Sequence, residues 1–320
     1  MSIRILGTGS YLPEKRITND DLSKVMDTSD EWISSRTGIR ARHISVKDTS
    51  CDMAVKAARI ALEESKVAPE ELDYIFLATV SPDCATPSTA CLVQSELGAV
   101  NATCMDINAA CSGFLFGLNT AMAYAKAKMA KKMLVIGVET LSKLMDWNDR
   151  STCVLFGDGA GCAVVEADES RDVIVDVGSD GSLGKVLMCQ ERPLKNFLVD
   201  NDEPMSYVSM NGSEVFRFAV KKVPKTVQAV LDQGHIDKDD IKYFVLHQAN
   251  QRIIESVARR LKVDLDKFPM NLDQCGNTSA ASIPILLDQM NKQGMLERGD
   301  KIILCGFGGG LTWGAIYLEW

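Results

Sequence analysis

A cysteine, a histidine and an asparagine stand where their chemistry could combine. Cys111 lies in "DINAACSGF" (106–114), at the point where a polar-to-small run gives way to an apolar stretch. Read locally, "ATCMDINAACSGF" is a short strand turning into the helix "FLFGLNTAMAYAKAK", so Cys111 falls on a tight turn at the helix N-terminus. Unpaired backbone N–H groups and the positive end of the helix dipole stabilise a thiolate there, and the same N–H groups can hold an oxyanion during acyl transfer. Ala109, Ala110, Ser112 and Gly113 are small enough to permit the turn and leave room for a substrate. The same cysteine also reads as a small core residue, one of ten in the chain, and local sequence leaves both readings open.

Only three histidines occur. His43 in "RARH" and His235 in "DQGHID" sit among polar residues, whereas His247 ends the apolar run "YFVLH" and is followed by "QAN". A ring at a strand end either points into a site or is a satisfied structural histidine. Asn277, in "QCGNTSAASIP" (274–284), follows Gly276 in a turn before a helix rich in small residues; it either presents its amide to the same site or caps the helix. "GFGGGLTWG" (306–314) supplies consecutive glycines after a strand, which let backbone N–H groups approach a substrate closely. It lacks the spacing of a dinucleotide or P-loop fingerprint.

These residues need elements to carry them. Helical and strand patterns alternate with no low-complexity tract or long linker, which predicts an α/β architecture with helices covering a sheet. A helix over 52–66 leads into "IFLATVS", and a helix near 220–233 leads into "YFVLHQAN". Setting Val67 on Ile236, an offset of 169 (236 − 67), also sets Leu72 on Ile241, Tyr74 on Tyr243 and Leu77 on Leu246. The same offset sets "KKMLVIGV" (131–138) on "DKIILCGF" (300–307), with Gly137 on Gly306. Two elements recurring in order at one offset predict a duplicated unit, pairing residues 1–170 with 171–320. A site between such halves draws on both.

Composition narrows the classes. A net charge of −8 disfavours nucleic acid as a partner, since phosphate binding needs a basic field. No apolar run approaches the roughly 20 residues of a membrane span. "MSIRILGTGSYLPEK" lacks a secretory layout, so a cytoplasmic location is expected. In that reducing compartment the cysteines should be free thiols, and no Cys/His spacing suggests a metal site.

"DINAACSGF", "HQAN", "GNTSAAS" and "FGGGLTWG", in this order, resemble 3-oxoacyl-[acyl-carrier-protein] synthase III, a condensing-enzyme family of the thiolase superfamily. "DEWISSRTGIRARH" (30–43), "FGDGAGCAVVE" (156–166) and "MNGSEVF" (210–216) extend the likeness over essentially the whole chain. The resemblance implies a five-layered α/β/α/β/α fold of two similar halves, a homodimer, and a Cys111–His247–Asn277 triad without a metal or cofactor. It implies that Cys111 takes a short acyl group from acyl-coenzyme A, with the backbone N–H groups of Cys111 and Gly309 holding the oxyanion. His247 and Asn277 would then stabilise the enolate formed as malonyl on acyl carrier protein loses carbon dioxide, giving 3-oxoacyl-acyl carrier protein.

By the same resemblance Trp32, Arg36 and Arg150 contact the adenine and phosphates of coenzyme A, and Gly212 and Phe216 line the pantetheine tunnel. Acyl carrier protein is acidic, so an acidic enzyme needs a local basic patch: Arg252 with Arg259 or Arg260 on "NQRIIESVARRLK", joined by Arg217 and by Gln248, Ala249, Asn250 and Gln251. Thr86 and Phe307 are expected at the primer pocket, Thr86 reaching the partner's pocket across the dimer and, being small, admitting longer or branched primers. The triad also serves enzymes that prime polyketide or secondary-metabolite synthesis or use another acceptor. Its presence argues against a non-catalytic scaffold.

Overall fold

The computed structural model describes residues 2–170 and 173–320. Two sheets form its frame. The first has five strands in the order Ser2–Tyr11, Gly159–Asp168, Lys132–Glu139, Tyr74–Ala78 and Thr103–Ile107; the second has four, in the order Tyr243–Leu246, Lys301–Gly308, Thr312–Glu319 and Ile174–Ser179. Helices Gly113–Lys126 and Ser282–Lys292 pack between the sheets. Ser50–Ser65 and Thr89–Leu97 cover the outer face of the first sheet, and Gly212–Gly234, flanked by Gln251–Leu261, covers the second. The result is helix, sheet, helix, sheet, helix. Strands buried on both faces must be apolar throughout. Ile75, Phe76, Leu77, Phe244, Val245, Ile302, Ile303 and Leu304 accordingly have no exposed surface.

Local signals explain the boundaries. Helix Ser50–Ser65 starts two residues before the predicted 52, because Thr49 and Asp52 close a reciprocal capping box at its head. Its buried face presses against strand Ser2–Tyr11, where a Cβ at Gly9 would lie 2.1 Å from the Ala57 carbonyl oxygen. Helix Gly212–Gly234 begins well before the predicted 220: Asn211 caps it by accepting from the Glu214 N–H, and Pro224 lies within it.

The parallel pairs keep a common register. Tyr74 lies opposite Met133 in the first sheet and Tyr243 opposite Ile302 in the second, both offset by 169 (243 − 74 and 302 − 133). All ten cysteines are free, and no helix among the described residues is long and apolar enough to cross a membrane.

Candidate active site

The two central helices bring the chemistry together. Strand Thr103–Ile107 ends, the chain turns tightly through Ala110–Ser112, and helix Gly113–Lys126 begins. Ala110 has φ 45°, a left-handed conformation uncommon for a residue with a side chain. The Thr312 hydroxyl holds this turn, donating to the Ala109 carbonyl at 2.9 Å and lying 3.2 Å from the Ser112 hydroxyl. Gly308 lies directly behind it: a Cβ there would stand 2.5 Å from the Cys111 nitrogen. Glycine is needed for that close approach.

Cys111 is buried, with 7% of its surface exposed. The helix-dipole argument predicts a thiolate, but burial overrides it and pushes the thiol up to about 12. The Ser279 hydroxyl opposes that rise and the Glu139 carboxylate adds to it. The resting group is a neutral thiol.

His247 follows strand Tyr243–Leu246, and its backbone N–H donates to the Cys305 carbonyl at 2.8 Å. Its ring is fixed on two sides. Nδ1 is 2.7 Å from the Ser282 hydroxyl, and Phe307 meets it edge-on with centroids 5.4 Å apart. Burial lowers its pKa to about 3, so the imidazole is neutral at physiological pH.

Asn277 is pinned by a short parallel bridge to Phe156, its N–H donating to the Leu155 carbonyl at 2.8 Å and its carbonyl accepting from the Gly157 N–H at 3.0 Å. Its side-chain oxygen accepts from the Ser279 N–H at 2.9 Å. That closes the turn and commits the oxygen, so the amide nitrogen is the group left to face a ligand. The helix itself starts later, at Ser282.

One cavity of about 590 Å³ holds all three residues. It runs from exposed Arg36 and Arg252 past Trp32, Gly212 and Phe216 to buried Cys111, His247 and Asn277. Arg36 and Arg150 place their guanidinium carbons 4.8 and 5.2 Å from the Trp32 ring centroid. Arg150 stands outside the cavity lining, bonded to Asp27. A second cavity, about 720 Å³, also reaches Cys111 and is lined by Leu144, Leu187, Met205, Ser279, Gly309 and Thr312 among others.

Of the other expected residues, some line the first cavity, some lie on the surface, and Gln248 is buried. Gln248 is fully buried; its amide donates to the Leu246 carbonyl at 2.8 Å and accepts from the Asn271 N–H, so it is structural and unavailable to a docking protein. Asn250 caps helix Gln251–Leu261 through the Arg252 N–H and donates to the Arg36 carbonyl. Phe307 lies in the first cavity against His247 and not in the second. Thr86 is exposed on its loop and lines neither cavity. Arg217 pairs with Glu214 at 2.6 Å on the surface, and Arg259 and Arg260 are exposed in the last turn of their helix. Gln251 and Ala249 are half-buried.

The sequence reading missed Ser282, Ser279 and Glu139. The serines stood inside "GNTSAAS", where they passed as small helix residues. Glu139 ends an apolar strand and carries no local signal at all.

Models of the 3-oxoacyl-[acyl-carrier-protein] synthase III family match this chain over residues 105–181, and of its C-terminal part over 231–320. Beta-ketoacyl-[acyl-carrier-protein] synthase III of Clostridium acetobutylicum is 51% identical, the match covering 100% of this chain and 99% of that protein; the Clostridium novyi protein is 50% identical with the same coverage. Among solved structures, 3-oxoacyl-[acyl-carrier-protein] synthase III from Aquifex aeolicus superimposes with a TM-score of 0.93 at 45% identity, covering 99% of this chain and 100% of that one. The priming beta-ketosynthase of the R1128 polyketide pathway superimposes with a TM-score of 0.94 at 34% identity, covering 99% and 96%.

Proposed function

This chain belongs to the 3-oxoacyl-[acyl-carrier-protein] synthase III family of thiolase-fold, acyltransferase-type condensing enzymes, and on that premise we propose how its own residues carry the reaction. Cys111 takes a short acyl group from a coenzyme A thioester, and the acyl-enzyme then condenses with malonyl on acyl carrier protein to give 3-oxoacyl-acyl carrier protein, coenzyme A and carbon dioxide. The observation that carries this reading is the single cavity joining Cys111, His247 and Asn277 to an exposed, arginine-bearing end.

In the first half-reaction the Cys111 sulfur attacks the thioester carbonyl, the carbon–sulfur bond to coenzyme A breaks, and the proton of the neutral resting thiol ends on the departing coenzyme A thiolate. The N–H groups of Cys111 and Gly309 hold the oxyanion. In the second, the thioester oxygen of the malonyl group accepts from His247 and Asn277 as carbon dioxide leaves. Neutral donors suit this step, because a cationic imidazolium would hand its proton to the carbanion. The depressed pKa of His247 supports that role. The Gln248 N–H approaches the Ser282 oxygen at 3.5 Å, so the hydroxyl hydrogen is free for Nδ1; Nε2 then carries the proton and donates.

Trp32, with Arg36 and Arg150 at its ring, suits an adenine base and phosphates, while Gly212 and Phe216 border the path of the pantetheine arm. Arg252, Arg217, Arg259 and Arg260 form the basic surface for acyl carrier protein. We read residues 1–170 and 171–320 as duplicated halves meeting at this site, and the working unit as a cytoplasmic homodimer in which exposed Thr86 serves the partner's primer pocket. No cofactor beyond the two thioester substrates is needed. A second reading, priming of polyketide synthesis by the same chemistry, is favoured by the likeness to the polyketide-priming ketosynthase.

The test is intact-mass spectrometry after incubation with acetyl-, butyryl- or isobutyryl-coenzyme A, followed by malonyl-acyl carrier protein. An acyl-sized gain that Cys111→Ala abolishes and malonyl-acyl carrier protein discharges is the expected result. Absence of any gain in the wild type would overturn the acyl-enzyme reading. Discharge only by a carrier protein of polyketide synthesis would select the second.

A further inference from the structure

The stretch "DEWISSRTGIRARH" supplies Trp32 and Arg36 to the first cavity, and its far end holds an arginine that the reaction described above leaves without a role. Arg42 sits in the short strand Ala41–His43, which pairs with Arg16–Thr18, and it has no exposed surface. Its Nη2 donates to the Val154 carbonyl at 2.6 Å and its Nη1 to the Ile17 carbonyl at 3.3 Å, while Nε has no partner among the described residues. No carboxylate among the described residues pairs with it. Burial pulls the guanidinium down to about 10, so at neutral pH it is a buried cation without a counter-ion. Such a charge is costly, and an apolar side chain would fill the space without that cost. What an apolar side chain lacks is a donor for Val154.

The backbone that Arg42 bonds is the one that carries Asn277. Val154 lines the first cavity, and the residues just after it hold Asn277: the Leu155 carbonyl accepts from its N–H and the Gly157 N–H donates to its carbonyl. The arginine stem occupies the space beneath this bridge. A Cβ at Gly157 would lie 3.1 Å from the Arg42 Cβ, and one at Gly276 would lie 3.1 Å from it as well, so both sides of the bridge close on this single side chain. The strand is tied to each side in turn. The Arg40 N–H donates to the Asp273 carbonyl at 2.9 Å, ahead of Gly276, and the His43 carbonyl accepts from the Asp158 N–H at 2.8 Å, directly after Gly157. The Cys111 turn is held instead by Thr312, and the His247 ring by Ser282. Of the three site residues, Asn277 alone stands on backbone that Arg42 bonds.

We propose that Arg42 is a positioning residue for Asn277: by bonding the Val154 carbonyl from behind the cavity wall and filling the space under Gly157 and Gly276, it sets where the Asn277 amide meets the malonyl thioester oxygen. Without that hold the Val154–Gly157 backbone relaxes and the amide nitrogen leaves its donor position. A displacement of about 1 Å is enough to slow a reaction by about 10²-fold. Acylation of Cys111 uses neither the Asn277 amide nor the Val154 backbone, so it is spared.

This inference rests on the reading that Asn277 serves the malonyl half-reaction, so the experiment separates the two claims. Acyl uptake from acetyl-coenzyme A, by intact mass, and single-turnover condensation of the acyl-enzyme with malonyl-acyl carrier protein are measured in the wild type, Arg42→Met, Asn277→Ala and the double variant. Arg42→Met should acylate within about twofold of the wild type and condense about 10- to 10²-fold more slowly. On the Asn277→Ala background the same change should cost less than about twofold, as it must when one residue acts through the other. Equal losses in both half-reactions, no loss in condensation, or a full further loss in the double variant each overturn the proposal and leave Arg42 a residue of the fold alone. If Asn277→Ala condenses like the wild type, the malonyl role of Asn277 fails, and the crystal structure of Arg42→Met decides the rest: a displaced Asn277 amide keeps Arg42 as its positioning residue, and an unmoved one overturns it. Should Arg42→Met fail to fold, Arg42→Lys, which keeps the charge but not the planar fork, enters the same cycle, and its loss in condensation must again vanish on the Asn277→Ala background.

Discussion

Two tight turns meet at the centre of this molecule, built alike and used differently. Ala110–Ser112 opens helix Gly113–Lys126, and Ser279–Ala281 opens helix Ser282–Lys292, each element 169 positions from its counterpart (279 − 110 and 282 − 113). Both turns begin with a left-handed residue, φ 45° at Ala110 and 49° at Ser279, and neither helix is closed by a capping side chain. Yet Cys111 borders two cavities, while Ala280 at the matching place is 1% exposed and borders neither of them. The strand ends opposite the turns differ too. Gly308 lets the Cys111 backbone approach closely, whereas its counterpart (308 − 139) is the buried Glu139, at the end of a strand packed on the Ser279–Ala281 turn. The backbone device is common to both turns; the group opposite each one decides which can react.

The strongest break of this comparison is to move the thiol from one turn to the other. The double variant Cys111→Ala, Ala280→Cys should lose acyl uptake from acetyl-coenzyme A entirely by intact mass, because the turn at Ala280 opens on neither cavity. Removing the second-half donor should divide the reaction instead. In His247→Ala, Cys111 should still acylate, while condensation with malonyl-acyl carrier protein, measured in single turnover, falls by about 10²- to 10³-fold.

Two glycines, one behind each turn, sharpen the contrast. Gly308→Ala puts a Cβ 2.5 Å from the Cys111 nitrogen and should slow acylation by about 10²-fold through misplacement of the nucleophile. Gly137→Ala puts one 2.2 Å from the Ala280 carbonyl oxygen, behind the unreactive turn. Its cost should appear in urea unfolding, at about 1–3 kcal/mol, with acylation per folded molecule kept.

Glu139 yields an effect that grows with pH. Its folded pKa of about 7 lies above the ordinary 4.5, so the folded protein binds the proton more readily than the unfolded chain between those values. Stability from the protonated carboxyl is present below pH 4.5 and is lost as pH rises through 7. Glu139→Gln lacks this loss. Its stability relative to wild type should therefore improve between pH 5 and pH 8, by at most about 3 kcal/mol, in denaturant titrations at the two values.

Much of the fold was legible because its signals are local. Apolar runs such as "MLVIGV" and "YFVLH" are strand-sized and suit strands buried on both faces, and small residues around Cys111 mark a turn that larger ones would block. Gln248 was misread for a physical reason. A glutamine beside a candidate site histidine looks exposed in one dimension, and only the packing of the Asn271 and Leu246 backbones shows both ends of its amide consumed inside.

The sequence by itself marked Cys111, His247 and Asn277 as candidate site residues, through residue type and the motif resemblance, and carried the recurrence at 169 positions. Tertiary structure alone decided their charge states and company. Burial, which no stretch of chain records, makes Cys111 a neutral thiol and His247 a neutral imidazole. The packing of the Ser279–Ala281 turn against both the Ala110–Ser112 turn and the end of strand Lys132–Glu139 exists only once both sheets close on the central helices.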